Sequence, residues 1–450
     1  MNGKWVQLKR VPTPLALLVG LLLGLLIGRS LPSSVRFYFD AMSVHVLSDL
    51  DQFLTPSWTD KAIYVSRLSA RKQLTLPTIE QRHRVLELLS TLSPHHTAEC
   101  TRNSQPLYVQ QVRERYKSLV GSKPASRTSW LSSFDFGSFG DSQHVHLAPT
   151  KEHKYFFAIN LYNSFDIIPD LFATLFRVSA ILGYHNVFVS IYENGSTDQT
   201  KALLRIFDAL TKSVGLRVTI RTSTRTRGAF NHRIEYLAEV RNQAFNPLYE
   251  LRDSRNEYFD TIIFMNDILP CVDDILELIW QSRRQNAGIT CAADYMYHQE
   301  LVGFLIASSF DLRLTEATTK GSPVFYDNWV SRDINGTALE NAPFEAIFHD
   351  PESSDRFQMH LPLQVQACWN GVAVLDPAPF YTPPYVRFRM AKLVENECSA
   401  SECSLICNDY WEAGYGRILM VPRVKLAYDK VRTRLKWHGW DYSPRHIESI

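Results

Sequence analysis

Two stretches of this chain set carboxylates and amides at the ends of short apolar runs. Residues 187–192 lead straight into Glu193-Asn-Gly-Ser-Thr-Asp198, and residues 261–265 lead straight into Asn266-Asp267. Short apolar runs rich in β-branched and aromatic residues read as strands. In an open α/β sheet, ligands bind in the crevice beyond the carboxyl ends of the strands. Polar side chains placed there in succession point to a ligand pocket. Arg221, Arg225, Arg227, Arg233 and Arg241 fall between the two stretches. Guanidinium groups bind phosphates through paired hydrogen bonds. Acids and arginines together suit a sugar carried on a nucleoside diphosphate.

Arg241 carries extra information. A helix is expected between Asn231 and Leu248, with Ile234, Leu237, Ala238, Phe245 and Leu248 on its apolar face. Arg241 lies on that same face. A buried guanidinium without a partner is costly, so Arg241 requires an anion, either a protein carboxylate or a ligand.

Further along, aromatic and polar residues alternate. Phe325-Tyr-Asp-Asn-Trp-Val-Ser-Arg-Asp333 sets two carboxylates and an arginine around Trp329. Cys368-Trp-Asn-Gly-Val-Ala-Val-Leu-Asp376 reads as a strand with a polar entry, and residues 397–409 are acidic and cysteine-rich. Trp and Tyr beside Asp, Asn and Arg suit the faces and hydroxyls of sugars; a packed aromatic corner would read the same way.

The elements that must position these groups follow from periodicity. Strands are expected at residues 155–160, 187–192, 216–220, 261–265 and 288–292, with a last one at 421–428. A helix from about Pro169 buries Ile168, Leu171, Phe172, Leu175, Phe176 and Leu182. Another, capped by Ser196 with Gln199 reaching back, buries Leu203, Ile206, Phe207 and Leu210. Strands alternating with helices predict an α/β fold with a mostly parallel central sheet.

The rest of the chain bounds the setting. A net charge of +2 without a Lys/Arg block argues against nucleic acid as a partner. Residues 11–28 are apolar and uncharged, enough for ~27 Å of helix at ~1.5 Å per residue, near the thickness of a thin bilayer. Lys4, Lys9 and Arg10 precede the run, which places residues 1–10 in the cytoplasm. Ile27-Gly-Arg-Ser30 is a poor signal-peptide cleavage site, so the run reads as an uncleaved anchor. Residues 29–150 read as stem and linker, 151–430 as the catalytic domain and 431–450 as a tail. Seven cysteines suit an oxidising lumen with one or two disulfides. Cys271 and Cys291, in apolar surroundings, read as buried thiols; Cys398, Cys403 and Cys407 lack the paired spacing of a zinc site. Asn194 and Asn335 are glycosylation sequons; a glycan on Asn194 would block the pocket, whereas Asn335 sits in a polar loop.

Glu193–Asp198, Phe264-Met-Asn-Asp267, Tyr326-Asp-Asn-Trp329 with Arg332-Asp333, Cys368-Trp-Asn-Gly371 and Ser401-Glu-Cys403 occur together and in this order. The set resembles the fungal α-1,3-mannosyltransferase family typified by the cryptococcal capsule-associated enzymes, over roughly residues 155–429. The resemblance implies a GT-A-like fold, a type II Golgi or endoplasmic-reticulum membrane protein, GDP-mannose as donor, a mannose-containing glycan or glycolipid as acceptor, and retention at the anomeric carbon. By position, Glu193, Asn194 and Asp198 would hold the nucleotide sugar, with Asn266, Arg227, Arg241 and Asn242 beside them. Asn266-Asp267 stands where many such enzymes carry Asp-x-Asp. The first acid is missing, which leaves Asp267 alone to offer charge to Mn²⁺ or Mg²⁺. Asp333, Glu402, Asp294 and Asp327 are the candidate carboxylates at the anomeric carbon, the first two favoured. Trp329, Arg332, Trp369 and Asn370 are assigned to the acceptor. The competing readings are another sugar donor on the same fold, or a non-catalytic sugar-binding subunit of a polysaccharide-assembly complex.

Overall fold

Four strands, Tyr155–Leu161 (β1), Val187–Asn194 (β2), Arg217–Ser223 (β3) and Thr261–Met265 (β4), run parallel in the order β3-β2-β1-β4. The computed structural model describes residues 111–112, 114–120, 153–226, 232–297, 323–342, 346–426 and 428. β1, β2 and β4 are buried almost throughout, as expected of parallel strands covered on both faces. The β3-β2-β1-β4 order is that of the first half of a doubly wound nucleotide-binding sheet.

Three helices connect these strands. Ile168–Leu182 (α1) follows β1, Thr200–Val214 (α2) follows β2, and Arg233–Arg255 (α3) precedes β4. α2 is stopped by Gly215 and α3 by Asn256, both in the left-handed conformation that frees a helix end. α3 lies across β1 and β2. There Phe245 stacks on Phe264 and Phe380, and Phe156 stacks on Phe188.

The second half of the sheet departs from expectation. Val272–Arg284 (α4) leads into Ile289–Tyr297 (β5). Then come Pro323–Phe325 (β6), Pro351–Gln358 (α5), Leu363–Val365 (β7), Val372–Leu375 (β8), Ala378–Tyr381 (α6), Glu402–Glu412 (α7) and Ile418–Leu426 (β9). β8 inserts antiparallel between β4 and β5; β9 joins β5 in parallel, while β7 and β6 pair antiparallel with β9 and β5. The α/β class is as expected, but the sheet is mixed rather than mostly parallel. A four-residue buried run such as β8 carries no signal of its direction.

Other details also moved. Ser196 does not cap α2: the helix starts at Thr200, whose N–H donates to Asp198 Oδ1. Within the expected stem, Tyr116 and Leu119 are buried; Tyr155 Oη donates to the Leu119 carbonyl at 2.6 Å, and Arg115 pairs with Glu277 of α4. Cys291 and Cys368 form a disulfide, and Cys271 is disulfide-bonded as well. The buried thiols are Cys403 and Cys407, and Cys398 is exposed. Apolar surroundings describe a cystine as well as a thiol, which is why Cys271 and Cys291 misread. The expected anchor at 11–28, most of the stem and the tail at 431–450 lie outside the described residues. Among the described residues no helix is long and apolar enough to cross a membrane.

Candidate active site

The ends of β2, β4, β5 and β9 and the start of β8 lie on one side of the sheet, because β8 runs against its neighbours. That side collects described acids whose carboxyls are pushed up. Arg241, reaching in from α3, donates through Nε to Glu402 Oε1 at 2.9 Å and through a terminal nitrogen to Asn266 Oδ1 at 3.0 Å. Its guanidinium also lies 5.0 Å from the Phe264 ring and 5.3 Å from the Trp369 ring. The anion that Arg241 requires is therefore a protein carboxylate, on the first turn of α7. Glu402 also accepts from Ser401 Oγ at 3.3 Å and is buried.

Three more carboxylates surround this pair. Asp267 follows β4 and has no side-chain partner among the described residues. Burial pushes its carboxyl up to about 6, against the pull of its own backbone N–H and of Arg241. Asp294, on β5, is fully buried. Its Oδ1 accepts from Asn370 Nδ2 at 2.7 Å and from the Asp327 N–H at 3.3 Å; its Oδ2 accepts from Tyr428 Oη at 3.0 Å. Burial and the neighbouring Asp327 raise it to about 7. Burial raises Asp327 too, against the pull of the nearby Val330 and Asn370 N–H groups and of Arg241. Among the described residues, Glu402, Asp267 and Asp327 thus share the largely buried guanidinium of Arg241, with Asp294 tied to Asp327 beside them, an arrangement that favours a cation or a developing positive charge.

Asn370 and Gly371 turn the chain into β8 with φ of 52° and 81°. A Cβ on Gly371 would lie 2.8 Å from Ile268 Cγ2 and 3.4 Å from Tyr428 Oη, so the close approach requires glycine. The Asn266 N–H donates to the Gly371 carbonyl at 2.9 Å, which ties the β4 exit to the β8 entry.

The loop after β2 plays a different part from the one expected. Glu193 is buried, accepts from the Ser196 N–H, and has Lys201 Nζ 3.7 Å from its second oxygen. Asp198 accepts from the Phe165 and Thr200 N–H groups. Ser196 Oγ accepts from the Asn163 N–H at 2.9 Å, and Asn163 Oδ1 accepts from the Thr197 N–H at 2.9 Å. These side chains lock the loops after β1 and β2 together, as a wall rather than as free ligands. Gly195, at φ 89°, lets this loop reach Arg225 and Thr226, where a Cβ would clash. Asn194 is buried and donates to Tyr236 Oη at 3.4 Å. Asn335 is exposed.

Several of the expected site residues already hold partners within the fold. Asp333 Oδ1 accepts from the Asn335 and Thr337 N–H groups, so this favoured acid holds its own turn. Arg332 donates to the Asn328 and Ser331 carbonyls. Asn242 spends both ends of its amide on the Phe388 backbone. Trp369 is only 1% exposed and packs edge-on against Phe388, so it offers no face to an acceptor. Asn370 is fully buried and serves Asp294 and Ser331 instead. Trp329 remains open at 46% exposure, with Arg233 5.4 Å from its ring. Arg221 and Arg225 pair with Glu250 and Glu239 on the outside of α3; Arg227 lies outside the described residues. Sequence reasoning missed Tyr428, although its place at the end of the last expected strand was a usable signal.

The donors present suit a lightly held metal ion. No group of three His, Cys, Asp or Glu side chains among the described residues is arranged to hold one. The Asp267 carboxylate, without a side-chain hydrogen bond among the described residues, does fit an ion that takes one protein acid and completes its shell with phosphates and water.

A family model described as Cryptococcal mannosyltransferase 1 matches residues 154–409, more than half of the chain. The chain belongs to this family. The Cryptococcal mannosyltransferase 1 match spans the sheet from β1 to α7 and includes Arg241, Asp267, Asp294, Asp327 and Glu402. An α-1,3-mannosyltransferase, CMT1, of Cryptococcus neoformans is 32% identical over 304 residues, covering 64% of this chain. The chain spans 60% of that relative's length. Among solved structures, a mannosyltransferase of Pyrobaculum calidifontis in complex with GDP-mannose and Mn²⁺ is 12% identical with a TM-score of 0.36, covering 76% of this chain and 68% of that one. TarS of S. aureus (residues 1–349) is 11% identical with a TM-score of 0.33, covering 61% and 60%. Superpositions this loose add nothing to the family match.

Proposed function

We propose that this protein is a retaining mannosyltransferase of GT-A-like fold that moves mannose from GDP-mannose to a mannose-containing glycan or glycolipid, forming an α-1,3 linkage. Family membership supports the sugar, and one observation carries the chemistry: among the described residues, four carboxylates gather around the largely buried guanidinium of Arg241 at the carboxyl ends of the strands, three of them directly under its influence. Glycosyl transfer passes through an oxocarbenium-like sugar, and a site with surplus negative charge stabilises it.

The four acids divide by accessibility. Asp294 and Glu402 are buried and tied by side-chain donors. Asp327 is half-buried, and among the described residues no side chain donates to its carboxylate. Asp327 is therefore the carboxylate we place at the anomeric carbon, as nucleophile or as charge stabiliser. Asp267 would hold Mn²⁺ or Mg²⁺, which when bound neutralises the leaving diphosphate. Glu402 aligns Arg241, and the open ring of Trp329 takes the acceptor sugar.

The domain is placed in the lumen of the Golgi or endoplasmic reticulum, behind an anchor at residues 11–28. The Cys291–Cys368 disulfide supports an oxidising compartment, and exposed Asn335 is the sequon that would carry a glycan.

The test is calorimetry of GDP-mannose binding to the full chain, with and without Mn²⁺, beside Asp267→Ala. Metal-dependent binding that disappears in the variant is expected. Binding of a different sugar nucleotide would change the donor; no binding of any would favour a non-catalytic subunit.

A further inference from the structure

The family match ends at residue 409, yet the acid cluster is closed by a residue beyond it. Tyr428 follows β9 and points its hydroxyl back to Asp294 Oδ2 at 3.0 Å. Its ring meets Tyr326 edge-on at 5.3 Å between centroids. Its hydroxyl would lie 3.4 Å from a Cβ on Gly371, a position held open by a left-handed glycine. On the other side Asn370 Nδ2 donates to Asp294 Oδ1 at 2.7 Å. Asp294 is thus held from two sides, and its Oδ1 accepts the N–H of Asp327.

We propose that Tyr428 is a positioning residue for glycosyl transfer: with Asn370 it fixes Asp294, and Asp294 fixes the backbone from which Asp327 reaches the reacting sugar. This role rests on the mannosyltransferase reading above. The physical reason lies in the directions of the bonds. A fully buried carboxylate with one donor can swing about its χ2 torsion, whereas donors on both oxygens leave one orientation. Misplacement of a reacting group by about 1 Å can cost on the order of 100-fold in rate. The C-terminal strand therefore contributes to chemistry as well as to the sheet.

The test compares Tyr428→Phe, Tyr428→Leu, Asp294→Asn and the Tyr428→Phe/Asp294→Asn double variant in the full chain. Mannose transfer is measured as kcat and KM, with thermal melting alongside. Tyr428→Phe keeps the ring and its contact with Tyr326, so it should melt within a few degrees of the parent and keep the donor KM. Its kcat should fall at least tenfold. The double variant should be no slower than Asp294→Asn alone, because residues acting through one another are not additive. An unchanged kcat in Tyr428→Phe, with a lowered melting point only in Tyr428→Leu, would show a packing role and overturn the proposal. Fully additive losses would overturn the path through Asp294. Absence of transfer by the parent chain, seen before any variant is made, would overturn the mannosyltransferase reading and this role with it.

Discussion

The two ends of the sheet hold the same kinds of acid and treat them in opposite ways. At the amino ends Glu257 and Asp260 meet their own cations, and so does Glu277 midway along α4. Glu257 is gripped by Arg217 at 2.6 and 2.8 Å and by Lys154 at 3.0 Å, Asp260 by Arg283 at 2.7 Å, and Glu277 by Arg115 at 2.8 and 2.9 Å. The Arg217 hydrogen bonds hold Glu257 down at about 2. Against the upward push of burial, Arg115 and Tyr116 keep Glu277 below its ordinary value. At the carboxyl ends, Asp267, Asp294 and Asp327 are all pushed up. One end is balanced and serves the fold. At the other, the described acids outnumber the described cations, and shifted acids gathered in this way mark a functional site.

The contrast can be broken hardest at Arg241. Arg241→Met leaves Glu402 as a buried charge without its partner, which should cost about 3–5 kcal/mol. Urea unfolding would measure it, and adding Glu402→Gln should recover part of the loss.

Asp267→Asn sharpens the contrast in the other direction. A carboxyl raised by the fold stabilises the molecule below its ordinary pKa of about 4, and that contribution is lost as pH rises through about 6. The variant should equal the parent near pH 4 and exceed it by about 1–2 kcal/mol at pH 8, while losing metal-dependent donor binding. Denaturant titrations at the two pH values check the sign.

Glu257→Gln is the smallest effect. Its bonds lie partly in solvent, so about 0.5–1 kcal/mol is expected at pH 7. That stabilisation is present above the ordinary carboxylate pKa and fades as pH falls toward about 2. Acid unfolding curves of parent and variant should therefore converge at low pH, the mirror image of Asp267→Asn.

The parallel half of the fold was legible because apolar runs and helical faces are local signals. β4 was placed to the residue, and β1, β2 and β3 within one to three residues at each end. Arg241 was legible as a residue in need of an anion, but Glu402 is far away in the chain and only the folded geometry brings them together. Asp327 and Asp333 could not be told apart, since both sit beside Trp329 in one short motif. What separates them is bonding to nearby backbone: Asp333 closes a turn, while Asp327 sits among the acids, near Arg241 and Asp294. Trp369 and Asn370 look like sugar contacts by type, and their burial is a property that residue type does not reveal. Strand direction escaped for a similar reason, since β8 is apolar on both faces and reads the same either way.

That late antiparallel strand has a consequence for how the molecule is made. β8 lies between β4 and β5, with Ile262 opposite Leu375 and Ile289 opposite that same residue. Both neighbours leave the ribosome before β8 does. Until Leu375 has emerged, the growing chain presents two unpaired hydrophobic strand edges that can join another molecule. A product truncated short of residue 375 keeps those edges permanently, so fragments of the amino-terminal half are predisposed to self-association rather than to independent folding.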